Sequence, residues 1–502
     1  MYQAAGLLKR GPRCYVLDSA DPAKLKAILD DIERRNGLSI SSILRGTLVV
    51  GTSLGIASRE PVVNLQKLAN LYDRHRIDSR IHFLSLAAEG SELDALARER
   101  GYRRAALQLD GDGRHGGPLA RGSLYPLALA RADLVPWIRN ACLSDKDIYT
   151  AWRLASFLHA QGETGRNKVT LLLPKPWAGA GLWTKRSFEE SLGQSDGLGL
   201  KLIPCPKPRL ANYRSPKDPQ QDRVFVAVRV NGMPKLDTAK VALLRRAGYP
   251  VAVLTLPRGA LLSRYIQFIH YGVFGMAWLR GANFVARPAA DLHESIASRI
   301  FSEATELGGV TRTPCWKRMA SSPRQVAFRG ELTLHYDRLK LNFDPAGMDA
   351  PQLYAAILRS LASSRSIEYG DLTFFGDTRY SPAGGALRRI LDRAADALFE
   401  RRLNMPADVQ EGPAATHACH ETILGHGRSF STLLLSEAQE TLAAARYAPD
   451  YHVAQFLAAQ VALEERGRAA VAITLRNLEE AGLRALEEFF HRAAACLKPG
   501  RF

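Results

Sequence analysis

Short β-branched or leucine-rich runs recur along the chain, each separated from the next by an amphipathic segment of helical length. This alternation predicts an α/β architecture of parallel sheets. The first stretch has runs at Cys14 to Leu17, Thr47 to Gly51, Ile81 to Leu84 and Ala105 to Leu109, with helical patterns over Pro22 to Arg34 and Pro61 to His75. In Asp18-Ser19-Ala20-Asp21-Pro22 a strand end turns into a helix, with Asp21 as its cap and Pro22 as its first residue.

A second set follows the predicted helix Ser144 to Gln161, with strands over Lys168 to Leu173, Leu200 to Ile203, Val224 to Val230 and Val251 to Leu256. The polar, proline-rich stretch Pro204 to Asp222 reads as an exposed loop, and Gly308 to Pro323 as a boundary. The pattern restarts with Leu332 to His335, a helix over Ala350 to Ser363, strands at Ser431 to Leu435 and Ala469 to Leu475, and a last helix over Leu478 to Ala495. Three domains are expected, at 1–150, 151–330 and 331–502. The series Phe268, Tyr271, Phe274 and Trp278, spaced at three to four residues, reads as a core stripe.

Composition narrows the function classes. Apolar residues make up 46% and charged residues 24% of the 502, so the chain can bury large cores and is not disordered as a whole. The net charge of +18 favours anionic ligands, but the arginines lie in scattered doublets rather than a stripe interleaved with aromatics, which argues against nucleic acid as a partner. Six cysteines without a CxxC pair suggest neither zinc nor a disulfide framework and fit a reducing cytoplasm. No apolar run approaches the ~18 residues of a membrane span, so no membrane partner is expected, and Ala4 to Leu8 is too short for an export signal.

Several segments, in chain order, resemble the glucose-6-phosphate isomerase family with its paired sugar-isomerase (SIS) domains, above all the isomerase half of bacterial transaldolase/glucose-6-phosphate isomerase fusion proteins. Tyr15 to Pro22 is similar to the family's VLDSTDP turn, and Thr47 to Glu60 stands where it has TLFIVSSKSGTTLET. Leu93 to Arg104 resembles LEALARERGFRRV, and Gly113 to Gly116 falls on GGRYS. Glu190-Ser191-Leu192-Gly193-Gln194 is similar to ESTGK, Asn283 to Leu292 to the frame of NPFDQPGVELGK, and His420 and His426 to HSTGQLH. The glycine-rich turn that precedes VLDS in the family has no counterpart in the residues before Tyr15, so the first domain is expected to begin late.

The resemblance implies two SIS-type parallel-sheet domains with a C-terminal α/β segment, and a phosphosugar substrate interconverted between glucose 6-phosphate and fructose 6-phosphate, as in cytoplasmic glycolysis and gluconeogenesis. It implies no cofactor and no metal, and as partner a second copy of the chain or a transaldolase. By it, Thr52, Ser53, Gly55 and Ser58 form a phosphate loop between a strand and a helix N-terminus. Arg114 stabilises the enediolate, and Glu190 and His420 line the sugar cleft. Taken by themselves these segments are also consistent with a plain strand-to-helix turn, a surface turn, a solvated carboxylate and an ordinary loop. A metal reading of His420, His426 and His417 gains little from their spacing.

The departures point to weak activity. Ser53 stands where the family has a lysine in its phosphate loop, and Glu294 where it has one at the end of VELGK. Leu256 occupies the place aligned with a carboxylate before a proline. A catalytically degenerate paralogue that binds a phosphosugar or a partner chain is therefore the alternative to an isomerase.

Overall fold

The structure, a computed structural model, describes residues 12–53, 59–107, 117–195, 197–205, 208–233, 238–416, 419–425 and 427–497. It is α/β, with three sheets built mainly of parallel strands. Helix α1 (Pro22–Asn36) opens as its sequence dictates, with Asp21 Oδ1 accepting from Ala23 N at 2.9 Å and Pro22 where no helical N–H is needed. Strands β1 (Val49–Ser53), β2 (Phe83–Ala88) and β3 (Arg103–Leu107) form a three-stranded parallel sheet in that order. Helix α2 (Glu60–Arg74) packs on it with Leu65 against Gly51, where Leu93 of the helix Glu92–Glu99 also stands. The expected run Cys14 to Leu17 forms no strand and pairs with no described strand.

Helix α3 (Asp145–Glu163) begins at a reciprocal capping box, Ser144 with Asp147. The second sheet follows in the order β5-β4-β6-β7, all parallel: β4 (Lys168–Leu172), β5 (Lys201–Pro204), β6 (Arg223–Val230) and β7 (Val251–Leu256). All five residues of β4 are buried, as an inner strand covered on both faces requires. Helices α4 (Ala180–Leu192) and α5 (Leu262–Arg280) contribute Phe188, Tyr265 and Met276 to its core. Within α5 the stripe reading holds for the buried Phe268 and half-buried Tyr271 and fails for Phe274 and Trp278, which are 43% and 79% exposed. Helix α6 (Pro288–Leu307) comes next.

The third sheet has the order β11-β10-β12-β13-β9-β8. Its antiparallel edge is β8 (Gln325–Phe328) and β9 (Leu332–His335), which joins β13. Helix α7 (Ala350–Ser363), capped by the Asp349–Gln352 box, precedes β10 (Tyr369–Phe375). Then come α8 (Pro382–Ala395), β11 (Ala407–Gly412), α9 (Cys419–Gly425), β12 (Ser429–Ser436), α10 (Asp450–Glu465), β13 (Ala469–Leu475) and α11 (Glu480–Cys496). Strands β10 and β12 are buried along their whole length.

The chain divides into two compact units, each discontinuous. One comprises Met1–Cys14, Gln108–Ala289 and His417–Gly427 and holds the four-stranded sheet; the other comprises Tyr15–Leu107, Ala290–Thr416 and Arg428–Phe502 and holds the other two.

Candidate functional site

Thr52 and Ser53 are the last two residues of β1, in register with Leu86 and Ala87 of β2, with Thr52 exposed and Ser53 buried. They end a parallel strand at its carboxyl edge, where ligands of open α/β sheets collect, and α2 starts at Glu60. Gly55, Ser58 and Arg114 lie outside the described residues.

In the other unit three segments far apart in sequence come together. The last turn of α4 carries Glu189 and Glu190, with Gly193 and Gln194 just after it; the stretch entering α6 carries Asn283 to Ala289; α9 carries His420, Glu421 and Thr422. Thr422 Oγ1 donates to Glu189 O at 2.9 Å. Gln194 Nε2 donates to Ala286 O at 2.9 Å and also to Asn283 O. Glu421, fully buried, accepts the Ala289 N–H on both carboxylate oxygens, at 3.2 and 3.1 Å. Two glycines make the approach of α4 and α9 so close. A Cβ on Gly425 would stand 1.9 Å from Gly193 O, and one on Gly193 2.4 Å from Thr422 N.

Glu190 forms an ion pair with Arg287, Nη1 to Oε1 at 3.7 Å, and both side chains are largely buried. His420 is 1% exposed. Beneath Glu190, the fully buried Glu189 takes Lys185 Nζ at 2.6 Å and the Leu202 N–H at 3.0 Å on one oxygen, with Lys201 Nζ at 3.5 Å from it. These bonds tie α4 to β5 and set the direction in which its last turn presents Glu190. The meeting of Arg287, Glu421 and the Lys185–Glu189–Lys201 cluster at these segments was not legible in the sequence. Arg287 sits in the aligned frame without matching a motif letter, and the lysines are scattered over two elements.

Leu256 ends β7 and is buried, so the aligned base position presents no titratable group. Glu294 lies on α6, 9% exposed. Among the described residues no group of three or more His, Cys, Asp or Glu is arranged to hold a metal ion, and no helix is long and apolar enough to cross a membrane.

No family model matches the chain. No curated protein matches it in sequence. Among solved structures, a hypothetical protein from Thermus thermophilus is similar at TM-score 0.49 and 19% identity, over 59% of this chain and 79% of that one. A glucose-6-phosphate isomerase from Chlamydia trachomatis is similar at TM-score 0.42 and 13% identity, over 63% and 68%. A glucosamine-6-phosphate deaminase from Thermotoga maritima follows at 0.32 and 10%, over 52% and 82%.

Proposed function

We propose that this chain is a phosphosugar-binding protein of the sugar-isomerase kind, working as a slow aldose–ketose isomerase on a hexose 6-phosphate. The observation that supports it is the meeting, in one compact unit, of residues 189–194, 283–289 and 419–425, drawn from the segments that resemble ESTGK, NPFDQPGVELGK and HSTGQLH, held by bonds to backbone groups. Nothing in their sequence separation requires that meeting.

In this reading Glu190 takes the proton from C2 of the open-chain aldose, leaving the electron pair as an enediolate; the O2 hydroxyl proton passes to O1, and Glu190 returns its proton to C1 as the C2 carbonyl forms. Arg287, at 3.7 Å from the carboxylate, supplies a permanent positive charge beside that anion. His420 moves the proton that opens the sugar ring. The phosphate-binding role is the one the resemblance gives to Thr52 and Ser53, at the carboxyl end of β1, and calorimetry tests it by itself. An ordinary rate of ~10 s⁻¹ is not expected, because the lysine positions are Ser53 and Glu294.

A coupled assay converting fructose 6-phosphate tests this with the full chain. The expected outcome is slow turnover that Glu190→Gln lowers by about 10²- to 10⁴-fold. Turnover unaffected by Glu190→Gln overturns the role of that carboxylate.

The second reading, binding without turnover, is favoured by Ser53 itself, which offers a hydroxyl at the strand end where an ammonium would be expected. Calorimetry separates the two. Glucose 6-phosphate bound but not converted selects the second, and loss of that binding in the Ser53→Ala, Ser58→Ala double variant assigns it to the loop, each bond to a charged phosphate being worth about ten- to a hundred-fold.

A further inference from the structure

The unit built on the six-stranded sheet has a cavity of about 370 Å³ that contains none of the residues of the proposed isomerase site. It opens at the carboxyl ends of the parallel strands, beside Phe375 of β10 and Ser436 of β12, and at the first turn of α8, and it is closed on one side by Asp21, Ala23 and Ala27 of the α1 region. Its size is that of a small-molecule site, and its place at a sheet's carboxyl edge is where such sites form.

Two lining residues carry polar atoms that find no hydrogen-bond partner among the described residues. Asp21 is 2% exposed; its Oδ1 caps α1 and its Oδ2 has no hydrogen-bond partner. His452, on α10, is 1% exposed and its Nδ1 has none either. Buried polar atoms are as a rule hydrogen-bonded, so these two point to a ligand that supplies the missing bonds.

The lining also says which ligand. An anion is disfavoured, because the α8 N-terminus already has an occupant: Asp377 accepts from the N–H groups of Arg379, Tyr380 and Ser381, and Ser381 Oγ from that of Gly384. Asp30, Glu440 and Glu479 add negative charge at the wall, and the two cations there are engaged, Lys26 with Asp30 and Arg34 with Asp31. What remains is a buried carboxylate oxygen, an imidazole nitrogen, and the rings of Phe375 and Tyr380. A carboxylate for hydroxyl donors and aromatic faces for C–H surfaces suit an uncharged polyol.

We propose that this cavity binds an unphosphorylated sugar or sugar alcohol through Asp21 and His452. The site is separate from that of the proposed isomerisation and does not depend on that reading.

The test uses the full chain with D-glucose, D-fructose and D-sorbitol as probes in saturation-transfer NMR. The expected result is saturable binding of at least one of them, weakened about ten- to a hundred-fold by Asp21→Asn, which keeps the helix cap and removes the acceptor. Ala23→Leu, which narrows the cavity from a half-buried position on α1, weakens it too. An unchanged melting temperature in one of the two variants separates lost binding from lost folding. The proposal is overturned if no probe binds with a Kd under about 10 mM, if neither variant weakens binding, or if glucose 6-phosphate competes for the same residues as strongly as glucose.

Discussion

At the scale of single residues, close backbone approach decides which substitutions the α4–α9 contact tolerates. Gly425→Ala sets a methyl group 1.9 Å from the carbonyl oxygen of Gly193, a main-chain atom that cannot swing aside. It is expected to destabilise its unit by about 1 to 3 kcal/mol in urea unfolding. Gly385→Ala, inside α8 with nothing nearer than Arg389 Nη1 at 3.8 Å, is expected to raise stability by up to ~1 kcal/mol, since only chain entropy changes. Glu189 is a different case. Glu189→Gln withdraws a buried carboxylate from beside two buried ammonium groups, and the same titration should show a loss of about 3 to 5 kcal/mol. The double variant Glu189→Gln, Lys185→Met should recover part of it.

At the scale of elements, the segment leading into α1 is tied to the end of β10 and to β11 by an ionic cluster. Lys24, fully buried, bonds both Asp18 and Glu411, and Arg379 Nη2 reaches Asp18 at 2.6 Å. Burial alone would raise the Asp18 carboxyl, but Lys24 and Arg379 outweigh it and hold it at about 2. An unfolded aspartate titrates near 3.9, so this group favours the folded state above that pH, and its contribution of roughly 2 kcal/mol is lost as pH falls from about 4 to about 2. Acid unfolding followed by circular dichroism should therefore show Asp18→Asn to be less stable at neutral pH and flatter than the parent chain through that window. A parallel decline of both chains would remove Asp18 from the account. Helix α5 shows where periodicity misleads. Phe274 and Trp278 each stand two residues from the buried Met276, about 200° around the helix, and so fall on the opposite face even though they continue the three-to-four spacing from Phe268.

At the scale of the whole molecule, two discontinuous units with separate cores predict departure from a single cooperative transition. Calorimetry is expected to resolve two transitions, with Glu189→Gln lowering one and Asp18→Asn the other. One transition shifted by both variants would show that the chain unfolds as a single block.

What the sequence determined by itself was local. Asp21 and Pro22 open α1, Leu332–His335 and Ala469–Leu475 are strands and Ala350–Ser363 is a helix with the bounds expected, because caps and apolar spacing act within a few residues of the chain. The resemblance marks Glu190 and His420 from short motifs alone; that their helices α4 and α9 pack together, with Thr422 Oγ1 on Glu189 O, is not written in those motifs. Tertiary structure alone decided that Cys14 to Leu17 finds no strand partner and that residues 15–107 join the C-terminal sheet in one unit. It also brought Arg287 to Glu190 and set Glu189 between Lys185 and Lys201. Pairing, burial and charge contacts of this kind join residues up to hundreds of positions apart, and their energy depends on which surfaces meet, which no local pattern of hydrophobic and polar positions records.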